Sequence, residues 1–285
     1  MNMGEQPFFA IPLLPDSAPT VHLVVRHGGK KGLRIPCRHR VTLVGSRAGC
    51  KVELQHERVA PVHAAVVISG QDVQLIDLKS TTGTKLNGLK VELETLSDGD
   101  RVEFGPWELG VEIQQPPRNG EHHGELVDLE PSPQAFALEH LDSSRVLQPS
   151  REISIVGRRA GCDIVVSDAD VSRAHALILA HNDRPAILDL LSSNGTFVNN
   201  ERVAFHILEN DDVLKIGESS FRVRLVGSGI SEKSAKKIKS ATKPVLTIAT
   251  EEHHVDLIDI HKTESVERWR IADDAERVPK VARRA

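Results

Sequence analysis

Residues 156–166 read VGRRAGCDIVV, residues 170–178 read DVSRAHALI, and residues 189–199 read DLLSSNGTFVN. Each segment joins a short apolar run to polar residues: two arginines, a Ser-Arg-Ala-His and a Ser-Ser-Asn-Gly-Thr. Polar clusters at the ends of consecutive short strands are typical of the loops on one rim of a β-sandwich. Because loops held on a rigid sheet usually carry the binding groups, we expect the functional site in this stretch.

The same stretch occurs once more, earlier in the chain. VGSRAGC at residues 44–50 matches VGRRAGC at residues 156–162, an offset of 112 residues. The offset continues without a gap, and it places His63 on His175, Asp77 on Asp189, Gly83 on Gly195, Asn87 on Asn199 and Gly105 on Gly217. A register that holds through every loop predicts two copies of one domain.

Both copies have the sequence pattern of all-β domains. Short runs rich in Val, Ile and Leu, such as VTLVG at 41–45 and ISIVG at 153–157, alternate with Gly, Asp, Asn and Ser turns. No long stretch has the 3.6-residue period of a helix. Asn87-Gly88 predicts a tight hairpin turn, since both residues tolerate positive φ. We therefore predict two β-sandwich domains in tandem.

Composition divides the chain into five parts. The segment PPRNGEHHGE after residue 115 predicts an exposed linker, and GSGISEKSAKKIKSATKP from residue 227 introduces a largely disordered tail. The predicted parts are an N-terminal extension at 1–17, a first domain at 18–115, the linker at 116–132, a second domain at 133–226 and the tail at 227–285.

Bulk composition argues against several classes of protein. The 285 residues have a net charge of -4, so no global charge favours nucleic acid or a membrane surface. The five lysines of residues 233–243 predict only weak, non-specific association with nucleic acid. No apolar run approaches the roughly 20 residues of a membrane span. Three cysteines without a CxxC predict a cytoplasmic setting and no metal site. Cys50 and Cys162 occupy the same position in the two copies, and we expect them in the core.

The polar motifs resemble those of the forkhead-associated (FHA) domain, a family that recognises phosphothreonine peptides. The family pattern is a Gly-Arg, a Ser-x-x-His and an Asn-Gly-Thr with a following Asn. The second copy has Gly157-Arg158, Ser172 with His175, and Asn194-Gly195-Thr196 with Asn199. The resemblance covers residues 20–115 and 133–226. It implies a bacterial, non-catalytic adaptor without a cofactor, whose partners are phosphothreonine-containing proteins such as a Ser/Thr kinase or its substrates.

Five residues of the second copy suit the chemistry of phosphothreonine. The phosphate carries about -1.5 to -2 charges at pH 7 and has three acceptor oxygens. It needs an arginine fork with hydroxyl or amide donors. Arg158 supplies the charge, Ser172 and Ser193 supply hydroxyls, and the amide of Asn194 can hold the peptide main chain. The resemblance gives Arg173 a main-chain contact. It gives a supporting role in the binding loops to Gly157, His175, Gly195, Thr196 and Asn199.

The first copy keeps the supporting residues and loses most of the ligand-binding ones. Arg158 corresponds to Ser46, Ser172 to Ala60, Arg173 to Pro61 and Asn194 to Thr82, whereas Thr81 keeps the hydroxyl of Ser193. We therefore predict that the first domain folds without ordinary phosphothreonine binding and acts as a scaffold or a phospho-independent interaction domain. Arg47 is a candidate replacement for the missing arginine.

Two other functional hypotheses stay open at this point. FHA-like sandwiches also pair through a sheet face, so the protein could be a phospho-independent interaction or dimerisation module. The protein could also bind its own tail, if a kinase modifies Thr242, Thr247, Thr250 or Thr263. An enzyme is not expected, because the sequence lacks GxSxG, P-loop, HExxH and kinase signatures.

Overall fold

A computed structural model describes residues 11–27, 30–116, 136–143, 145–149, 151–181, 184–225 and 269–271. These residues form strands, turns and irregular segments, and none of the described ranges contains a helix that could cross a membrane. The predicted all-β fold is therefore confirmed. The predicted linker and tail lie almost wholly outside the described ranges.

The first domain has eleven strands in two sheets. They are β1 (Thr20–His27), β2 (Lys30–Cys37), β3 (Val41–Gly45), β4 (Val52–Leu54), β5 (Ala64–Ser69), β6 (Asp72–Asp77), β7 (Thr84–Leu86), β8 (Leu89–Val91), β9 (Leu93–Thr95), β10 (Arg101–Phe104) and β11 (Trp107–Gln114). The outer sheet has the order β2-β1-β11-β10-β7-β8, and the inner sheet contains β4-β3-β5-β6-β9. A core that includes Leu23, Val66 and Phe104 fills the space between them.

The second domain repeats this arrangement. Its strands are β12 (Phe136–His140), β13 (Val146–Leu147), β14 (Ile153–Gly157), β15 (Ile164–Val165), β16 (Ala176–His181), β17 (Arg184–Asp189), β18 (Thr196–Val198), β19 (Glu201–Val203), β20 (Phe205–Ile207), β21 (Val213–Ile216) and β22 (Ser219–Leu225). The outer sheet is β13-β12-β22-β21-β18-β19, and the inner sheet is β15-β14-β16-β17-β20. Leu138, Ile178 and Phe221 belong to its core.

Tight turns follow the predicted chemistry. Asn87 and Gly88 join β7 to β8 with φ values of 51° and 86°, so both residues adopt the left-handed conformation. The corresponding Asn199 and Asn200 join β18 to β19 with φ values of 50° and 68°. A two-residue turn with positive φ at both positions matches the twist of the flanking strands, which explains the choice of Asn and Gly.

The inner sheets of the two domains pack against each other, which the sequence analysis did not foresee. Strands β3 and β14 are buried along their whole length, because one face of each strand packs on its own core and the other on the partner domain. Six pairs of apolar residues at the 112-residue offset form most of this layer: Val41 and Ile153, Leu43 and Ile155, Ala65 and Leu177, Val67 and Leu179, Ile76 and Leu188, and Leu78 and Leu190. The interface therefore has approximate two-fold symmetry within one chain.

Two further segments contact the first domain. Strand β23 (Trp269–Ile271) pairs in parallel with β4, with Trp269 opposite Val52, and extends the inner sheet to six strands. The remainder of the predicted tail lies outside the described residues. From the predicted N-terminal extension, Ile11 is buried in the interdomain layer. Cys50 and Cys162 also lie in this layer as free thiols, and burial raises the pKa of Cys50 to about 12.

Candidate functional site

The loops after β14 and before β16 are joined through their backbones. Arg158 N donates to the carbonyl oxygen of Ser172 at 3.1 Å, and Arg159 N donates to that of Arg173 at 3.3 Å. A Cβ at Gly157 would lie 2.2 Å from the Arg173 oxygen. Glycine therefore permits the close approach of the loops that places Arg158 beside Ser172.

His175 connects the second of these loops to the loop before β18. Its ring is buried; Nδ1 accepts a hydrogen bond from Ser172 N–H at 3.1 Å, so the Nε2 proton is donated to the Gly195 oxygen at 3.1 Å. Burial lowers the pKa of His175 and so favours the neutral ring, in which Nδ1 can accept a hydrogen bond. The imidazole thus fixes the separation between Ser172 and Gly195.

A buried cluster around Asp189 shapes the loop that carries Ser193 and Asn194. The Asp189 carboxylate accepts from Ser192 N at 3.0 Å, from Ser192 Oγ at 2.6 Å and from Thr196 Oγ1 at 2.8 Å. Sequence reasoning used Asp189 only to mark the repeat. The signal was available, because the spacing Asp-x-x-Ser-x-x-x-Thr also occurs at Asp77 in the first copy.

Ser193 and Asn194 are exposed on this loop and are tied to the neighbouring one. Ser193 N–H donates to Ser172 Oγ at 3.2 Å, which leaves the hydroxyl proton of Ser172 available to another acceptor. Asn194 Nδ2 donates to the main-chain oxygen of Asp170 at 2.8 Å and to its carboxylate at 3.2 Å. Sequence reasoning gave the Asn194 amide a donor and an acceptor for the ligand and did not identify Asp170 as its partner. In this conformation the carbonyl oxygen of Asn194 is the group left open.

Two arginines lie at the rim with open guanidinium groups. Arg158 and Arg173 are exposed, and across the described ranges no hydrogen bond or ion pair engages either side chain. A shallow depression of about 220 Å³ lies beside Asn194 and is lined by residues that include Asp170, Lys215 and Glu218. The two arginines therefore give the rim positive charge, and the depression beside Asn194 is polar.

Asn199 is the predicted supporting residue that lies away from these loops. It stands beyond the far end of β18, where its Oδ1 accepts from Val213 N–H at 2.9 Å and its Nδ2 donates to Asp212 at 2.7 Å. It therefore fixes the β18–β19 hairpin and its contact with β21. Thr196, at the near end of the same strand, belongs to the Asp189 cluster.

The corresponding rim of the first domain keeps the framework. His63 is buried, accepts from Ala60 N at 3.0 Å and contacts the Gly83 oxygen at 3.2 Å, as His175 does in the second domain. The Ser46 hydroxyl donates to Val59 O at 2.9 Å, so it is directed at the neighbouring β4–β5 loop of the same domain. The Thr82 hydroxyl donates to Arg58 O at 2.8 Å and takes over the loop connection made by Asn194.

Arg47 does not fill the place of the missing arginine. Its guanidinium donates to the main-chain oxygen of Leu191 in the second domain. The counterpart Arg159 donates in the same way to the oxygen of Lys79 in the first domain. Arg47 and Arg159, which share one repeat position, are therefore both interdomain contacts, and the first domain has Ser46 in the place of Arg158.

A family model assigns these two rims to one known fold. The model of the FHA domain matches residues 42–105 and residues 154–217, which span the rim loops of both sandwiches. This chain contains two FHA domains. The matched segments contain the repeat motifs, and the predicted tandem FHA architecture is confirmed.

In each of two curated relatives, the matching segment is about as long as one FHA domain. The oxoglutarate dehydrogenase inhibitor of Corynebacterium jeikeium is 37% identical over 68 residues, which are 24% of this chain and 47% of that protein. The glycogen accumulation regulator GarA of Mycobacterium tuberculosis is 39% identical over 66 residues, which are 23% of this chain and 41% of that protein. The chain thus covers less than half the length of either relative.

Solved structures of FHA proteins are also similar to the chain. One comes from a study of phosphothreonine-dependent FHA domain interactions; it is 34% identical, covers 32% of this chain and 95% of its own, and has a TM-score of 0.30. Mycobacterium tuberculosis EmbR in complex with a low-affinity phosphopeptide is 29% identical, covers 34% of this chain and 26% of its own, and has a TM-score of 0.33.

Proposed function

We propose that the second FHA domain binds phosphothreonine-containing protein segments and that the protein is a non-catalytic adaptor. The observation that carries the proposal is the rim itself: Arg158 has an open guanidinium, and its backbone is bonded to that of Ser172, whose hydroxyl accepts from Ser193 N–H. FHA domains as a family recognise phosphothreonine, and the relatives above include a regulator and an inhibitor.

The hydrogen-bond directions at the rim suit a phosphate. Ser172 Oγ accepts from Ser193 N–H, so its own proton can be donated to a phosphate oxygen, and the Ser193 hydroxyl lies next to it. Arg158 supplies the charge that a group carrying about -2 requires. A hydrogen bond to a charged group stabilises by about 1.5–3 kcal/mol, so loss of Arg158 weakens binding on the order of 10- to 100-fold.

The peptide main chain is the proposed ligand of Asn194 and Arg173. With Nδ2 held by Asp170, the carbonyl oxygen of Asn194 can accept a main-chain N–H of the peptide. The Arg173 guanidinium can donate to a main-chain oxygen. Contacts to the main chain do not depend on side-chain identity, so these two residues contribute affinity for many peptides.

The first FHA domain has a scaffold role in this proposal. Ser46 replaces Arg158, and its hydroxyl is bonded to Val59 O, so the rim lacks both the charge and the free donor at that position. The partners proposed for the second domain are a Ser/Thr kinase or its substrates. A phosphorylated threonine in the protein's own tail, outside the described residues, is a possible ligand at high effective concentration.

The experiment uses the full-length chain, because an isolated second domain would expose the apolar face of its inner sheet. Two peptide libraries are tested against wild type, Arg158→Ala and Ser46→Ala. One library has a fixed phosphothreonine, and the other has unphosphorylated threonine at the same position. We expect phosphate-dependent binding that Arg158→Ala weakens on the order of 10- to 100-fold and Ser46→Ala leaves intact. Equal binding of both libraries would contradict it.

One observation favours a second function, phospho-independent association. The inner sheet of an FHA domain can bury an apolar face against another FHA domain, as the two copies do here within one chain. Peptide or partner binding that needs no phosphate and survives Arg158→Ala would support this alternative in place of the first.

A further inference from the structure

We propose that the first FHA domain is part of the phosphopeptide site of the second, because Arg47 positions the loop that carries Ser193 and Asn194. Arg47 is not a ligand contact in this proposal; it acts through the backbone of Leu191. The inference rests on the proposed function of the second domain and adds to it how that site depends on the neighbouring domain.

Leu191 is the residue at which this loop leaves the sheet. It follows Leu190, whose N–H donates to His175 O at 2.9 Å, and it precedes Ser192 of the Asp189 cluster. Its φ is 54°, a left-handed conformation that is unfavourable for a residue other than glycine. Such a conformation persists only where the surroundings hold it.

The groups that hold Leu191 come largely from the interface between the domains. Its main-chain oxygen accepts a hydrogen bond from the Arg47 guanidinium of the first domain. Its side chain packs on the interdomain apolar layer, which contains residues of both inner sheets. The left-handed backbone at the start of the ligand-binding loop is therefore stabilised by the other domain.

A change at Leu191 is transmitted over two peptide bonds to Ser193 and over three to Asn194. Ser193 N–H reaches Ser172 Oγ at 3.2 Å and Asn194 reaches Asp170 at 2.8 Å, so both contacts depend on the path of the backbone that leads to them. If domain packing favours the bound form of this loop, then phosphopeptide binding must favour domain packing by the same factor.

The repeat provides a matched control for Arg47. Arg159 makes the equivalent bond to the oxygen of Lys79, which has a φ of 56° and leads into the loop of the first domain. That loop carries Thr81 and Thr82 and lies on the rim with Ser46 in place of Arg158. Arg47→Ala and Arg159→Ala thus each remove one interdomain hydrogen bond, but they release different loops.

The test compares these two variants in the full-length chain. Affinity is measured by titration with peptides from the fixed-phosphothreonine library, selected on the wild-type protein. Arg47→Ala is expected to weaken binding about 5-fold or more, the lower range of coupling between sites. Arg159→Ala, which keeps the backbone bond to Arg173, is expected to weaken binding clearly less than Arg47→Ala does. Arg47→Lys, which keeps the charge and one donor, is expected to restore most of the affinity.

A second measurement needs no ligand. Amide hydrogen exchange at residues 192–195 is expected to be faster in Arg47→Ala than in wild type and unchanged in Arg159→Ala. Equal exchange in both variants, or equal affinities, would overturn the inference. If instead Arg158→Ala binds the library as wild type does, the proposed function fails, and the exchange rates still decide whether Arg47 positions the loop.

Discussion

Replacing Asp189 by alanine removes the acceptor that organises the proposed ligand-binding loop. Three donors lose their partner at once: the Ser192 amide, the Ser192 hydroxyl and the Thr196 hydroxyl, at 3.0, 2.6 and 2.8 Å. Ser192 and Thr196 are buried, so solvent replaces these bonds poorly. The variant therefore leaves unsatisfied polar groups inside the second domain.

The expected loss of stability follows from these three bonds. At about 1.5 kcal/mol each, the lower end for hydrogen bonds to a charged group, they total about 4.5 kcal/mol. For a protein of this size that lowers Tm by about 10 °C. Phosphopeptide affinity falls as well, because the Ser193 amide no longer reaches Ser172 Oγ in a fixed geometry.

Asp77→Ala is the matched control. Asp77 accepts from Ser80 N, Ser80 Oγ and Thr84 Oγ1 at 3.0, 2.6 and 2.8 Å, so it loses the same bonds in the first domain. Calorimetry should show a similar fall in Tm for both variants. Titration at a temperature where both are folded should show lost affinity only for Asp189→Ala. An Asp189→Ala protein with wild-type affinity would refute the role assigned to this cluster.

Three further predictions concern stability and packing. Burial lowers the pKa of His63 and His175, so the unfolded chain binds protons that the native state does not. The urea midpoint should therefore fall as the pH drops below the unfolded pKa of about 6.5. His175→Gln should make the midpoint less dependent on pH. Leu177→Ala, in the interdomain layer, should destabilise the chain by about 2–5 kcal/mol in urea unfolding, whereas Leu89→Ala at an exposed turn should change it little. Deleting residues 269–271 should speed amide exchange in β4 without changing phosphopeptide affinity; unchanged exchange would show that β23 does not pair there in solution.

Local features of the fold could be predicted from the sequence because local chemistry decides them. The structure contains the repeated domain, the strands of the β-rich runs and the Asn87-Gly88 turn. Each of these features is visible in residues that lie close together in the sequence. The interdomain layer was not predicted, although VTLV and ISIV are apolar except for Thr42 and Ser154. A nearly continuous apolar run indicates that both faces of a strand are buried, but it does not show what covers the second face.

The candidate site was predictable in its residue types and less so in its hydrogen bonds. Arg158, Ser172 and Ser193 lie on adjoining loops, as their motifs indicated. The contacts of Asn194 with Asp170 and of Arg47 with Leu191 join residues 24 and 144 positions apart. Such contacts depend on how loops and domains pack, which motif spacing does not encode.

One of the two FHA domains is proposed to bind the phosphopeptide. Calorimetric titration of the full-length chain with a library-selected phosphothreonine peptide measures both affinity and stoichiometry. We expect one peptide per chain, a loss of affinity on the order of 10- to 100-fold for Arg158→Ala, and no change for Ser46→Ala. Two peptides per chain, or full binding by Arg158→Ala, would contradict it.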